Sequence, residues 1–558
     1  MSDKNGRIVG IDLGTSTSEI SCIIDGKPVI IPNTLGKPVT PSVVHIGESE
    51  LLIGEHAAEY LFTQPECTFM EVKRMTGTDQ KLTVRGKEYT TEEIQSMLIE
   101  YLIDCAEIFL DEKITRAVIT VPAYFTDRQR RATARAGELA GLTVERILNE
   151  PTAAALDYGL QNLTECKNIL VYDLGGGTLD ITVMELFEGV IDVKASSGNN
   201  HLGGKDFDEI LMRQLCDSLT DERARMRLKK AAEECKVALS EKESHEISLP
   251  FLYTTKRGKP ISLEKTVTRT EFESWIKEKV DSTRDPIQIA LSDAKLAASD
   301  LDAVLLVGGS TRIPCVKRLV EETLGMEAKT LVDPDLTVAR GAAVQAGILD
   351  GLFSDGKDIV LTDVCPYTLG ISVLYASGLL DNKMVFSPII QRNTTIPVER
   401  TERYCTANDY QTAVEIKVYQ GESTNPDNNE PLGDMLLRGL PPAKAMKESV
   451  DVTFAYDING ILQVTAKVVS TGKQATVEIS TAGVQAKPPL DLSKWEEVST
   501  ARRFRPAIRK AEKRIASKHM ASSDLQILVT EIKEALLLGD EAQAEDLREE
   551  LLDLLEDI

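Results

Sequence analysis

Residues 8–20 read IVGIDLGTSTSEI, and residues 169–181 read ILVYDLGGGTLDI. Each copy runs from an apolar strand into Asp-Leu-Gly, then a turn of small or hydroxylated residues, then a second strand. A strand that ends in Asp puts a carboxylate at a sheet edge, where ligands of α/β folds gather. The glycines let the backbone turn with its N–H groups outward, which makes a cradle for anionic oxygens. One such loop is weak, because any hairpin can carry it. Two copies imply a duplicated domain with a cleft between its halves. Facing each other, the loops would hold a β,γ-phosphate pair, with Asp12 and Asp173 bracketing a hydrated Mg²⁺, an ion that keeps several waters and takes few carboxylates. A third glycine segment, VGGSTRIP at 307–314, follows the apolar run AVLLV and sets Pro314 to open a helix, whose N-terminus attracts nucleotide polar groups. No Walker A loop is present. Its nearest approach, GNNHLGGKD at 198–206, has an extra Gly and an Asp where the hydroxyl belongs.

The elements that must position these loops follow from patterning. From 1 to about 355, apolar strand-like runs alternate with helical patterns, which predicts α/β layering. Between about 365 and 485, alternating segments such as TAVEIKVYQ and GILQVTAKVV, parted by turn residues, predict an antiparallel β unit. Beyond about 490, Ala, Leu, Glu and Arg dominate and predict helices. Between the first two regions lies DIVLTD (358–363), which reads equally as a buried edge strand or as a linker that docks in one state. The formal net charge of −24 repels phosphate backbones and argues against nucleic-acid binding. The nine cysteines are scattered singly without a CxxC pair, as reduced thiols would be, and neither disulfides nor zinc are expected. The N-terminus lacks a signal-peptide pattern and no apolar run reaches membrane-span length, so a soluble, cytoplasmic protein without a membrane partner is expected.

IDLGTSTS, VKRMTG, VPAYFTDRQR, ILNEPTAAALDYG, YDLGGGTLDI, LGGKDFD and LVGGSTRIP occur in the order typical of the 70-kilodalton heat-shock (DnaK-type) chaperones. NTTIP, VYQGE and NGILQVTAK resemble that family's peptide-binding domain. The short nucleotide domain and the RMTGT sequence most resemble the HscC subgroup. The resemblance covers about 6 to 485 and implies a multidomain α/β + β + α chain. It would comprise an actin-like ATPase domain (1–356), a linker (357–364), a β-sandwich peptide-binding domain (365–487) and a truncated helical lid (488–558).

The same resemblance assigns roles. Asp12 and Asp173 would position magnesium-bound waters, and Gly14, Thr15 and Ser16 would touch phosphate. Lys73 would lean on the γ-phosphate, a role suited to phosphoryl transfer, which asks for positioning and charge neutralisation. Glu150 would orient the attacking water; its ordinary alternative is a carboxylate at a helix N-terminus. Gly175, Gly176, Gly177, Thr178 and Asp180 would form the second phosphate loop, with Gly203 and Gly204 beside it. Adenosine contacts map onto Glu233, Lys236 and Ser240 and onto Gly308, Gly309, Ser310 and Arg312. Pro122 and Arg130 correspond to a switch that reports nucleotide state, and Arg146, Asn149 and Asp363 fall where J-domain co-chaperones engage. Ile371, Leu374, Tyr404, Ala407, Val414 and Ile416 fall on the peptide cleft and arch, although each alone could equally face a core.

The implied function is ATP-dependent binding and release of extended apolar segments of client polypeptides, with ATP/ADP and Mg²⁺ as ligands and K⁺ a further candidate. A slow ATPase raised by peptide and co-chaperone, and a place in the stress response, go with it. A small-molecule kinase on the same fold would leave 365–485 without a purpose, whereas in a filament-forming or scaffold protein that region would be an assembly module. Four departures from the family pattern stand out. Thr17 replaces an Asn, and Thr362 interrupts the linker's leucine run, which predicts weaker docking through lost methylenes. The nucleotide domain is short between 207 and 228, where exchange factors grasp, which leaves the need for such a factor open. The lid is reduced to SDLQILVTEIKEALLLGD and EAQAEDLREELLDLL, amphipathic segments expected to pair as a hairpin.

Overall fold

The computed structural model describes residues 6–160, 167–187, 189–216, 219, 221–254, 259–330, 333–353, 360–376, 382–478, 495, 500–516 and individual positions between 529 and 555. The two Asp-Leu-Gly segments are indeed the seeds of two equivalent sheets. In the first, Ile8–Leu13 pairs antiparallel with Thr17–Ile24, which continues into Lys27–Ile31, and pairs parallel with Arg116–Val121 on its other side. In the second, Lys167–Leu174 pairs antiparallel with Leu179–Phe187, which continues into Val190–Asn199, and pairs parallel with Ala303–Val307. The central strands are buried on both faces and read as near-continuous apolar runs, as sheets covered by helices require.

The halves meet through two helices of small residues, Glu150–Leu160 and Thr337–Leu349. A Cβ on Gly341 would lie 1.7 Å from the Ala153 carbonyl oxygen, and one on Gly10 would lie 2.4 Å from the Ala343 nitrogen. The runs AAA and GAA are therefore contact surfaces where backbones nearly touch. Arg340 clamps the crossing with a forked ion pair to Asp157 at 2.9–3.1 Å, the planar geometry that suits guanidinium and carboxylate.

The β unit consists of two four-stranded sheets. One runs Asn382–Ile390, Leu369–Ala376, Ala413–Gln420, Glu430–Arg438; the other runs Val398–Cys405, Ser449–Tyr456, Leu462–Val468, Gln474–Glu478. Strict alternation of buried and open positions along Ser449–Tyr456 puts Val450, Val452, Phe454 and Tyr456 into a shared core with Ile371, Ile416 and Val418.

Of DIVLTD, residues 358 and 359 lie outside the described residues, and 360–363 fall in the edge strand Val360–Val364. It adds to the edge of the sheet seeded by the second Asp-Leu-Gly segment, parallel to Val190–Asn199, with Thr362 opposite Asp192. Its last residues, Asp363 and Val364, pair antiparallel with Ile396 and Thr395 of the β unit. One short strand thus belongs to both domains. In the C-terminal segment, Val529, Ile532 and Leu536 pack with Ala544, Leu547, Leu551 and Leu555 against Trp495, Phe504 and Ile508. This three- and four-residue spacing is the apolar face expected of paired helices. The eight described cysteines are unpaired, and no described helix is long and apolar enough to cross a membrane.

Candidate nucleotide site and its link to the β domain

Between the lobes lies a cavity of about 530 Å³, lined from the first lobe by Asp12, Gly14, Thr15, Ser16, Thr17, Lys73 and Glu150. From the second lobe come Asp173, Gly175, Gly176, Thr178, Gly204, Glu233, Lys236, Ser240, Gly308, Gly309, Ser310 and Arg312. The two Asp-Leu-Gly turns face each other closely. A Cβ on Gly176 would lie 2.5 Å from Ser16 Oγ, and one on Gly177 would lie 3.2 Å from Thr15 Oγ1. Gly308, at φ 81°, comes so near the second turn that a Cβ would sit 2.5 Å from the Leu174 carbonyl oxygen and 2.7 Å from Asp173 Oδ1. Pro314 opens the helix Pro314–Leu324 beyond it.

Three of the expected residues stand behind the cavity wall. Gly177 and Gly203 pack against each other, with 2.4 Å between a Cβ on Gly203 and the Gly177 nitrogen. Asp180 is buried and accepts the Tyr124 N–H at 2.9 Å. These residues shape the loops from the rear.

At the floor, Lys73 Nζ lies 2.6 Å from Glu150 Oε1, with both side chains about nine-tenths buried. The Lys73 ammonium also stands 5.6 Å from the centre of the Phe125 ring. Asp12 accepts the Thr120 hydroxyl at 2.7 Å. Burial, then Glu150, pushes the Asp12 carboxyl up to about 7, and the same two causes bring Asp180 to about 7. Burial and the surrounding carboxylates hold Asp173 well above its ordinary range. Lys73 is the cation that bears on all three, but it is already held by Glu150, and a further bound cation is the ordinary remedy for carboxylates so placed. On the outer side, Glu233 is tied to Lys205 at 2.7 Å, Lys236 bonds Asp208 at 2.8 Å, and Ser310 Oγ donates to the Gly175 carbonyl at 2.8 Å. Ser240 Oγ turns back to the Lys236 carbonyl, and Arg312 pairs with Asp335 at 2.8 Å.

The residues expected to form a switch are also brought together. Arg130 donates to Asn149 Oδ1 at 2.7 Å and to the Ala123 carbonyl at 2.8 Å, one residue past Pro122. Asn149 donates to Asp363 Oδ2 at 2.8 Å, and Thr152 donates to the same oxygen at 3.3 Å. Arg146 reaches Gln345 at 3.0 Å. Asn149 immediately precedes Glu150, so the linker strand is two bonded residues from the cavity floor. Thr362, whose lost methylenes predict weaker docking, donates its hydroxyl to the Asp192 carboxylate, a charge-assisted bond that acts in the opposite direction.

The cleft candidates do not share one environment. Ile371 and Ile416 are buried in the sandwich core, Val414 and Tyr404 are half-buried, and Leu374 and Ala407 are exposed. Tyr404 bonds Ser387 through its hydroxyl.

Sequence reasoning missed several residues. Glu19, Asp335 and Pro334 also line the cavity; Glu19 was visible as the one charge in the otherwise uncharged strand TSEISCII. It also missed the surface between the domains. Asp127 accepts the Leu462 N–H at 2.8 Å while Arg131 donates to the Leu462 carbonyl. Asp293 accepts from Arg392 at 3.0 Å and Asn393 at 2.8 Å, and Tyr367 donates to the Tyr124 carbonyl at 2.7 Å. Asp127 and Arg131 lie on the helix Asp127–Leu139, Asp293 on the helix Arg284–Ala294 and Leu462 at the start of a strand, and each meets a partner distant in the sequence.

A family model described as Hsp70 protein matches residues 8–84 and 79–557. The chain belongs to the Hsp70 family. Chaperone protein DnaK of Thermotoga petrophila is 46% identical over 492 residues, which cover 86% of this chain and 81% of that protein. The DnaK proteins of Thermotoga maritima and Thermosipho melanesiensis match to the same extent. The actin-like ATPase domain and the sheet-rich substrate-binding domain of an Hsp70 protein are accordingly the two-lobed unit and the β unit described above.

Proposed function

We propose that the residues of the cleft, linker strand and β domain divide between them the work of an ATP-dependent chaperone. As an Hsp70 protein the chain hydrolyses ATP and binds client polypeptides. The N–H groups of the Gly14–Ser16 and Gly175–Thr178 turns take the phosphates, and Glu233, Lys236, Ser240, Gly308, Gly309, Ser310 and Arg312 frame the adenosine. Lys73 neutralises charge on the oxygens between which the bond breaks, and Glu150, already hydrogen-bonded in the cavity, orients the attacking water. Mg²⁺, which Asp12 and Asp173 suit through water, supplies charge neutralisation when bound, and K⁺ is a second candidate. Main-chain groups and alternating side chains of the β domain take an extended peptide, with Ile371, Leu374, Tyr404, Ala407, Val414 and Ile416 as the cleft. For the exposed and the core members to line one channel, the sandwich must rearrange from the docked form.

The observation that carries the reading is Val360–Val364, bonded at once to both domains and tied through Asp363 and Asn149 to the catalytic floor. A strand that can be shared or released gives ATP and peptide a reciprocal hold on each other. We place the domain boundaries at 1–356, 357–364, 365–487 and 488–558. Arg146, Asn149 and Asp363 serve as the surface a J-domain partner reads, the reduced helices act as a lid, and the site of action is the cytoplasm. RMTGT and the short nucleotide domain favour an HscC-like chaperone. The test is the affinity of an unfolded peptide measured with ATP and with ADP: ATP should weaken it, and equal affinities would defeat the proposal.

A further inference from the structure

Glu19 stands directly opposite Asp12 in the antiparallel register of the first sheet, and both line the nucleotide cavity. Directly opposed residues hold their Cβ atoms about 5 Å apart on one face, so the fold sets two carboxylates side by side. Glu19 is 2% exposed and Asp12 8%. Asp12 has the Thr120 hydroxyl, and Thr17 lends Glu19 a hydrogen bond. The second Glu19 oxygen, Oε1, is enclosed and has no partner. Lys73, the cation that bears on both carboxylates, is held 2.6 Å from Glu150. Burial first, and Asp12 next, push the Glu19 carboxyl well above its ordinary range, with Asp335 adding to the effect.

Like charges opposed across a strand pair destabilise it, and a buried carboxylate oxygen without a donor is costly. A shared proton or a shared cation can relieve the pair. Bound nucleotide adds phosphate charge to the same space, which a proton offsets poorly and a divalent cation offsets well. Mg²⁺ characteristically takes one or two carboxylates and keeps the rest of its shell as water.

We propose that Glu19 is a direct ligand, through Oε1, of the divalent cation at the nucleotide site, while Asp12 and Asp173 act through water. Because this ligand belongs to the chain and not to the nucleotide, the cation binds before ATP or ADP arrives. The inference rests on the cavity being the nucleotide site.

Mn²⁺ is a suitable probe, since its free and bound forms are separated by electron paramagnetic resonance. Titrated into the nucleotide-free full chain, it should occupy one site. Glu19→Gln should weaken that site by about tenfold or more, and Glu19→Asp, which keeps the charge but withdraws the oxygen, should fall between. Binding of a fluorescent ADP in the presence of Mg²⁺, followed in parallel samples, checks the cavity itself: its absence in wild-type protein would sink the nucleotide reading together with this one. Equal Mn²⁺ affinity in wild type and Glu19→Gln, with ADP still bound, would overturn the cation ligand alone and leave a shared proton. If Glu19→Gln does not fold, the wild-type chain decides, because absence of a Mn²⁺ site before nucleotide would equally overturn it.

Discussion

Replacing Lys73 by Ala separates what the cavity floor does for stability from what it does for chemistry. The Lys73 and Glu150 side chains are 7% and 11% exposed and 2.6 Å apart, so the pair is nearly cut off from water. Removing one member of a buried pair costs about 3–5 kcal/mol when the other must remain charged. Glu150 keeps some contact with water at 11% exposure, so the measured loss should sit at or below the lower end. For hydrolysis, losing one preorganised group aimed at transition-state charge costs about 10²–10³ in rate. Nucleotide affinity should change far less, because in the proposed site the phosphates rest mainly on backbone N–H groups of the two turns. Single-turnover ATP hydrolysis, ATP binding and thermal melting should be read on the same protein. Lys73→Met, which keeps the stem over Phe125, should lose hydrolysis equally while losing less stability. Adding Glu150→Gln to Lys73→Met should restore stability and leave hydrolysis absent. Wild-type turnover in a folded, ATP-binding Lys73→Ala would refute the assignment of the floor.

Thr362→Val removes a hydrogen bond to a carboxylate at a partly open strand, worth about 1–2 kcal/mol. With ATP bound, the linker should be cut faster by protease, and a double-mutant cycle with Asp192→Asn should show coupling; additive effects would mean that the bond does not hold the strand. Gly308→Ala puts a Cβ 2.5 Å from a carbonyl oxygen at φ 81°, so calorimetry should find nucleotide binding largely lost, and unchanged affinity would contradict the close approach. Asp12 and Asp180, both near 7, hold protons in the folded chain that the unfolded chain releases near 3.8. Their contribution is full at low pH and fades as pH rises from about 4 through 7. The nucleotide- and metal-free chain should accordingly melt lower at about pH 8 than at about pH 6, and a rise in Tm over that interval would refute the direction.

How much could be read in advance depended on whether residues act on sequence neighbours or on distant partners. The paired Asp-Leu-Gly turns were legible because strand, carboxylate and glycine are contiguous, and the structure adds only how nearly they touch. Small residues in EPTAAALDYG and ARGAAVQAG betray close helix crossing by composition, but their partner cannot be read locally: Gly341 is constrained by Ala153, far away in the chain. Glu19 reads as one polar position in a strand until the register sets it against Asp12. Asp293 and Leu462 carry no local mark whatever, since each matters only through residues of the other domain.

Thr362 shows why a departure from a family pattern has to be weighed by what lies opposite. Counted as a missing leucine in an apolar strip, it predicts a looser linker. The parallel register places it against Asp192, a residue that an apolar side chain would leave without the hydroxyl donor. Asp192 also holds Lys194 at 2.6 Å, and these two bonds, against partial burial, bring its carboxyl below the usual range. The substitution thus exchanges apolar contact for a directional bond, which fixes register as well as adding energy. An apolar strip tolerates a slip along the edge, but a hydroxyl that must meet one carboxylate does not. Because Asp363 follows immediately and must reach Asn149, holding Thr362 in place also holds the connection to Glu150. If the proposed coupling runs through this strand, it depends on register more than on apolar contact, and Thr362→Leu should dock no better than the native residue.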